Sequence, residues 1–334
     1  MTNRGGGNTA AVPAISVVLP VFNEEAGVRE LYRRTKAVLA ATGLPHEIIF
    51  VNDGSRDQSW PRILELANGD GAVRAVNFSR NFGHQIAITA GIDLSSGATV
   101  VIMDSDLQDP PELIPVLYAK HQEGFDVVYA QRRVRDGETW FKRATAAVFY
   151  RLIRRMASID IPMDTGDFRL MSRRVVDDLK RLQEKSRFVR GLVTWIGYNQ
   201  APVLYDRDRR YGGTTKYPIG KMMKFAFDGI TGFSSQPLRL ASHAGLLFAT
   251  ASMALMVALT VYRFAGGTGL VPGWTSLAVA VLFLGGLQLL AIGILGEYVG
   301  RIHEETKQRP LYLICDTQNF DPPPAKAGWR DQQE

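Results

Sequence analysis

Val100-Val101-Ile102-Met103-Asp104-Ser105-Asp106-Leu107-Gln108-Asp109-Pro110 is a strongly apolar strand that stops on two carboxylates one residue apart. A buried strand closing on Asp-x-Asp, with an amide two residues on, is a poor way to build a core. It is a good way to hold a hard divalent cation against a diphosphate. Mg2+ or Mn2+ takes oxygen ligands from one or two carboxylates, and substrate phosphates and water complete the shell. An Asp-rich turn formed for local hydrogen-bonding reasons is the other reading of the same residues.

On both sides of this stretch, apolar strands alternate with segments of helical spacing. Ile15–Leu19, Glu47–Val51, Val73–Phe78, Thr99–Met103 and Asp126–Ala130 read as strands. Glu24–Ala41, Ser59–Ala67, Gln85–Leu94 and Pro111–His121 read as helices. That alternation predicts an α/β fold, a mostly parallel sheet covered by helices, with ligands bound beyond the carboxyl ends of the strands. The polar motifs fall at those ends: Asn23-Glu24-Glu25 after the first strand, Asn52-Asp53-Gly54-Ser55-Arg56-Asp57 after the second and Asp104-Ser105-Asp106 after the fourth. Singly, each has a local alternative. Asn23 could cap a helix beginning at Glu24, and Asp53-Gly54-Ser55 could be an ordinary turn. Together, at one sheet edge, they predict a ligand site. No Gly-x-Gly-x-x-Gly or Walker loop occurs, which argues against Rossmann dinucleotide and P-loop sites.

The 334 residues carry a formal charge of +6. A basic balance admits nucleic acid, an anionic membrane face or phosphorylated substrates. Its distribution favours the last two, because Lys216, Lys221, Lys224, Arg239, Arg301, Lys307 and Arg309 flank two long uncharged stretches. These stretches predict a transmembrane helical hairpin at about 240–262 and 274–297, broken at Gly266-Gly267-Thr268-Gly269 and Pro272-Gly273. A buried helical pair in a soluble core is the alternative. The connecting loop offers only Arg263, so the positive-inside rule puts both flanks in the cytoplasm, with the protein in the inner membrane. Met1–Pro13 is polar and Gly-rich, without the apolar core of a signal peptide. The single cysteine, Cys315, leaves no intramolecular disulfide to form.

Pro20-Val21-Phe22-Asn23-Glu24-Glu25, Val51-Asn52-Asp53-Gly54-Ser55-Arg56-Asp57 and Met103–Pro110 resemble the signature of family 2 glycosyltransferases with a GT-A fold. Adding Asn81-Phe82-Gly83-His84-Gln85, Asp164-Thr165-Gly166-Asp167-Phe168-Arg169 and the hairpin, residues 14–315 resemble polyprenyl-phosphate glycosyltransferases. The likeness is to bacterial undecaprenyl-phosphate glucosyltransferases of O-antigen glucosylation and to dolichyl-phosphate mannosyltransferases. It implies that Pro20, Asn23 and Glu24 line the nucleotide site, and that Asp53 contacts the base. Asp104, Ser105 and Asp106 would meet ribose, metal and diphosphate, with Gln108 a third metal-side residue. Asp167 matches the family's proposed base, with Asp164 the second choice and a helix-capping Asp the structural alternative. The loop Arg210-Tyr211-Gly212-Gly213-Thr214-Thr215-Lys216-Tyr217 resembles one that closes over the diphosphate, which makes Arg210 and Lys216 donor-binding residues.

Anionic lipid heads also need cations, and Arg132, Arg133 and Arg143 are the candidates for the acceptor phosphate. His84 reads as a residue that caps or packs at a helix start near the donor. The expected organisation is a flexible 1–13, a GT-A domain at 14–215, interfacial amphipathic helices at 216–239 (and another at Trp140–Met156), the hairpin at 240–298 and a cytoplasmic tail at 299–334. In the tail, Leu311–Cys315 is strand-like and a homo-oligomer is expected. The expected reaction moves a hexose, glucose from UDP-glucose first among the choices, onto undecaprenyl phosphate with inversion and with Mg2+ or Mn2+.

Overall fold

A computed structural model describes residues 12–133, 165–182, 184–185, 187–206, 236–265 and 274–324. Arg143, Asp164, Arg210 and Lys216, the helix expected over Trp140–Met156 and nearly all of the interfacial stretch 216–239 lie outside them.

The apolar runs do become strands, in the expected places. β1 (Ile15–Val21), β2 (His46–Asn52), β3 (Val73–Phe78) and β4 (Thr99–Ile102) run parallel in the spatial order β4-β1-β2-β3. Every residue of β1 is buried, which requires cover on both faces. On one face Ile15, Val17, Leu19 and Val21 join a core with Val28, Leu31 and Leu39 of α1 (Val28–Thr42), Ile63 of α2 (Ser59–Gly69) and Leu117 of α4 (Ile114–Gln122). Val18 points the other way and packs against Gly91 of α3 (His84–Leu94). α1 begins four residues later than the sequence reading. Asn23 has φ 55°, so it turns the chain out of β1 and does not cap a helix at Glu24.

Pro20 ends the pairing of β1 with β4. Met103 N donates to Val18 O, so even-numbered residues of β1 face β4, and Pro20 is the next of them. It has no N–H to continue the ladder. The chain is therefore released from the sheet just before Asp104.

The strand expected at Asp126–Ala130 forms too, but its neighbours in the sheet are not legible from local pattern. β5 (Val127–Arg132) does not lie beside β4, as simple strand-helix alternation would have it. β6 (Thr165–Ser172) inserts between them and runs antiparallel to both. β7 (Gln200–Tyr205) pairs parallel with β5 at one edge, and β8 (Ile314–Gln318) pairs antiparallel with β3 at the other. The full order is β7-β5-β6-β4-β1-β2-β3-β8. Asp167 therefore sits inside a strand, which overturns the helix-capping alternative. α5 (Arg173–Arg181) and α6 (Val189–Ile196) follow β6 and neighbour α3.

The chain divides into two units, and the described C-terminal residues 309–324 belong with the sheet, not apart from it. The second unit holds α7 (Gln236–Phe264) and α8 (Trp274–Thr306), which pack on each other with Phe248 edge-on to Phe283 at 5.5 Å. Their outward surface is apolar: Leu246, Leu247, Leu289, Leu290 and Ile292 are each more than 60% exposed. Among the described residues, one segment, Phe283–Thr306 with a mean hydropathy of 1.5, is long and apolar enough to cross a membrane. The apolar stretch of α7, Ala241–Leu255, is shorter. Large apolar surface faces outward on both helices, which argues against the buried helical pair.

Candidate active site

The site grows out of the β4–β6 pairing. Ile102 pairs with Arg169. Two residues further along that antiparallel register, Asp104 comes opposite Asp167. His84, the first residue of α3, stands between them. Its Nε2 is 3.2 Å from Asp104 Oδ1 and 3.4 Å from Asp167 Oδ2. The ligand atoms of His84, Asp104 and Asp167 all lie within 4.8 Å of one another, and Asp106 is not part of this group.

Asp167 is held from several sides. Gln85 Nε2 donates to Oδ2 at 2.9 Å, and Arg190 Nη2 donates to Oδ1 at 3.2 Å. The other end of the Gln85 amide accepts from Val189 N at 2.9 Å, tying the start of α6 to the same carboxylate. Beneath it the buried Arg169 donates to Gly166 O at 3.1 Å. Desolvation by itself would raise the Asp167 carboxyl. The His84 hydrogen bond and the charges of Arg190 and Arg169 outweigh it and hold the group well below the usual carboxylate range. Desolvation likewise opposes the His84 imidazolium, but hydrogen bonds to Asp104 and Asp167 prevail and push its pKa up to about 10.

The chemistry of this edge fits a divalent cation. Asp104 Oδ1 is enclosed and, apart from the His84 ion pair, no donor among the described residues reaches it. A buried carboxylate oxygen in that state calls for positive charge. The proton on His84 and a metal ion answer the same demand. Asp106 Oδ1 accepts from Gln108 N at 3.1 Å, which shapes the turn after Asp104, and Ser105 is buried within it.

The other expected residues sort into walls, braces and outliers. Asn23 accepts from Arg56 N at 2.9 Å and donates its own N–H to Ser55 Oγ at 2.9 Å, locking the β1 and β2 loops together. Glu24 N donates to Ser59 Oγ at 3.0 Å, adding to that lock. Pro20 is buried inside β1. Asp53 is 2% exposed, and its carboxylate accepts from Phe82 N at 2.7 Å and Gly83 N at 3.0 Å. It braces the loop that delivers His84. Arg132 lies against β6 beside the site: its Nη2 is 3.3 Å from the position a Cβ on Gly166 would take, and its Nε donates to Tyr205 OH at 3.4 Å. Arg133 is 61% exposed and paired with Asp206 at 3.4 Å.

His84 does stand at a helix start, as the sequence reads, but its pairing with the carboxylates, and the parts of Gln85 and Arg190, are not legible in the sequence. The motif Asn81-Phe82-Gly83-His84-Gln85 stands out in the sequence, but its partner across the site depends on β6, which local periodicity does not reveal. His84 is not merely a helix-start residue; it pairs with both carboxylates.

The loop carrying it depends on Gly54, which has φ +64° and would put a Cβ 2.5 Å from Arg80 C and 2.6 Å from Asn81 N. Both the backbone conformation and the close approach exclude a side chain. Gly54→Ala is expected to push the 80–83 segment away and raise the donor KM at least tenfold, with a smaller change in kcat. A KM within twofold of the parent would refute this account of the loop.

The chain matches the family model described as glycosyl transferase family 2 over residues 16–180. It is 52% identical over 318 residues to an uncharacterized glycosyltransferase of Bacillus subtilis (strain 168), covering 95% of this chain and 97% of that one. It is 41% identical over 308 residues to the SfII prophage-derived bactoprenol glucosyl transferase of Shigella flexneri, covering 92% and 99%. Among solved structures, glucosyl-3-phosphoglycerate synthase from Mycobacterium tuberculosis overlaps at a TM-score of 0.45 and 22% identity, over 66% of this chain and 78% of that one.

Proposed function

The chain belongs to glycosyl transferase family 2 and is a glycosyltransferase, and on that premise we propose that it moves a hexose from a nucleotide sugar to a polyprenyl phosphate. The donor in this reading is UDP-glucose, the acceptor undecaprenyl phosphate, and the product a β-linked lipid phosphosugar formed with inversion at the cytoplasmic face. One observation carries it: Asp104, Asp167 and His84 converge at the carboxyl edge of the sheet of a chain whose α7 and α8 expose large apolar side chains. The bactoprenol glucosyl transferase likeness supports the lipid acceptor. Both helices would span the bilayer as a hairpin, with the sheet unit and both termini cytoplasmic. A homo-oligomer is part of the same reading.

Asp104 and Asp106, with Gln108, would hold Mg2+ or Mn2+; such an ion supplies charge neutralisation for the departing diphosphate. The residues of the chain do the rest. Asp167 is already ionised and its carboxyl is held low, which makes it a weak proton acceptor. A lipid phosphate does not need a strong one, because its second pKa near ~6 leaves its oxygen anionic at neutral pH. Asp167, fixed by Gln85 and Arg190, therefore orients the sugar or the incoming phosphate. Arg132, whose Nη2 lies beside Gly166, would bind that phosphate with Arg133 and Arg143, while Arg210 and Lys216 would close over the donor diphosphate.

Membranes containing the chain are to be incubated with undecaprenyl phosphate and a panel of labelled nucleotide sugars, with and without EDTA. The expected result is transfer of label from UDP-glucose into the lipid fraction, abolished by EDTA and restored by Mg2+ or Mn2+. Transfer from a mannose, N-acetylhexosamine or aminoarabinose donor would reassign the sugar. No lipid-extractable label from any donor would overturn the reaction.

A further inference from the structure

The C-terminal tail is built into the sheet. Along β8, Ala75, Val76 and Asn77 of β3 pair with Gln318, Thr317 and Asp316. Just before it, Tyr312 is 3% exposed and stacks on Phe78 at 5.2 Å, and Ser79 N donates to Leu313 O at 3.0 Å. Just after it, Asn319 Nδ2 donates to Ala67 O at 2.6 Å and to Val73 O at 2.8 Å. A run of amides crosses the sheet here, with Asn52 Nδ2 donating to Asn77 Oδ1 at 2.7 Å and Asn77 Nδ2 to Asp316 Oδ2 at 3.4 Å. These bonds fix which side chains of β8 face the ligand edge.

One of them is Cys315. It lines a cavity of about 550 Å3 together with Phe22 and Asn23 after β1, Arg56 after β2, and Asn77 and Arg80 at the end of β3. Arg80 Cζ sits over the Phe82 ring, 4.0 Å from its centroid. The cavity is centred on the β2 and β3 ends, two to three strands from β4. At a spacing of about 4.8 Å per strand that is roughly 10–14 Å from Asp104, the reach of a nucleoside whose diphosphate lies at Asp104. Its lining of amides, an aromatic ring and guanidinium groups suits a planar heterocycle and a ribose.

We propose that the returning C-terminal strand forms the outer wall of the donor pocket, with Cys315 facing the nucleoside end of the bound nucleotide sugar. The donor site is then incomplete without residues that follow α8. This inference rests on the nucleotide-sugar reading above, and it adds a wall that motif matching confined to residues 16–180 cannot include.

Because Cys315 is the sole cysteine, a maleimide reports on it alone. The full chain in detergent is to be treated with N-ethylmaleimide, with labelling followed by intact mass, in the presence of UDP, GDP or neither, with Mg2+. Saturating UDP is expected to slow labelling at least tenfold, and the alkylated chain to bind UDP at least tenfold more weakly. Cys315→Ser should take no label, and its UDP affinity should not respond to the reagent. Cys315→Trp, at an exposed position, should raise the donor KM and leave the acceptor KM in place. Labelling that neither nucleotide slows, with UDP affinity unchanged after alkylation, would overturn the wall even if UDP-glucose is turned over. Protection by GDP alone would keep the wall and remove UDP as the nucleotide. Protection by UDP in a chain that transfers no sugar would keep the wall and defeat the transfer reading.

Discussion

Asp104→Asn is expected to lower donor turnover on the order of 10³-fold, the scale of removing one element of a charge-stabilising site. The substitution keeps shape and most hydrogen bonding but removes the negative charge that a cation needs. Asp104 is 24% exposed and its Oδ1 has the His84 ring as neighbour, so the neutral amide costs the fold little. Thermal unfolding within a few degrees of the parent, together with loss of the EDTA-sensitive rate, is the expected pair of readings. Full activity in Asp104→Asn would defeat the assignment of the metal side. Unfolding would be uninformative for the substitution itself, so Mg2+-dependent UDP binding to the parent chain serves as the second measurement: absence of any metal dependence would sink the assignment as well.

Asp167→Asn should be nearly as damaging to kcat, by about 10²–10³-fold, but for a different reason. The carboxylate is only 8% exposed and is pinned by Arg190 at 3.2 Å, so its removal leaves Arg190 and the buried Arg169 without their anion. Breaking a buried pair in this way costs about 3–5 kcal/mol, and a clear fall in unfolding temperature is expected alongside the lost rate. The pH behaviour separates orientation from proton abstraction. A carboxyl held below its unfolded value stabilises the native state above about pH 3.9, and that contribution fades only as pH falls through its lower folded value. Asp167 therefore stays ionised across pH 5–8 and supplies no acid limb there. The limb should follow the acceptor phosphate near ~6 in the parent and persist in Asp167→Asn. Recovery of the variant's rate by raising pH would instead assign Asp167 to proton abstraction.

His84 carries the opposite sign. Its raised pKa means that the ion pair with the two carboxylates is fully present below about 6.5 and is lost as pH climbs towards about 10. Because the side chain is 45% exposed, water screens the pair and its contribution to stability is correspondingly modest.

Local pattern carried a large part of this protein. Uninterrupted apolar runs specified β1 to β4, since a strand covered on both faces needs no polar alternation. Helix spacing specified α1 to α4, and long uncharged stretches specified α7 and α8. Motif position then put Asn23, Asp53 and Asp104 at one edge, because parallel strands all present their carboxyl ends there.

What local pattern does not contain is the pairing of distant segments. β6 lies beyond residues 134–164 in sequence yet slots between β4 and β5, and its register alone brings Asp167 opposite Asp104. That choice is made by burial of the whole strand, with Phe168 and Leu170 in the main core, not by any property of Asp167. The meeting of His84 with both carboxylates, the Gln85 and Arg190 clamp, and the return of Cys315 to a cavity beside Arg56 and Arg80 follow from the same cause. Periodicity over ten residues can specify an element and the face it buries. The neighbour of that face is selected by the free energy of closing the whole core, and for this chain that selection makes the site.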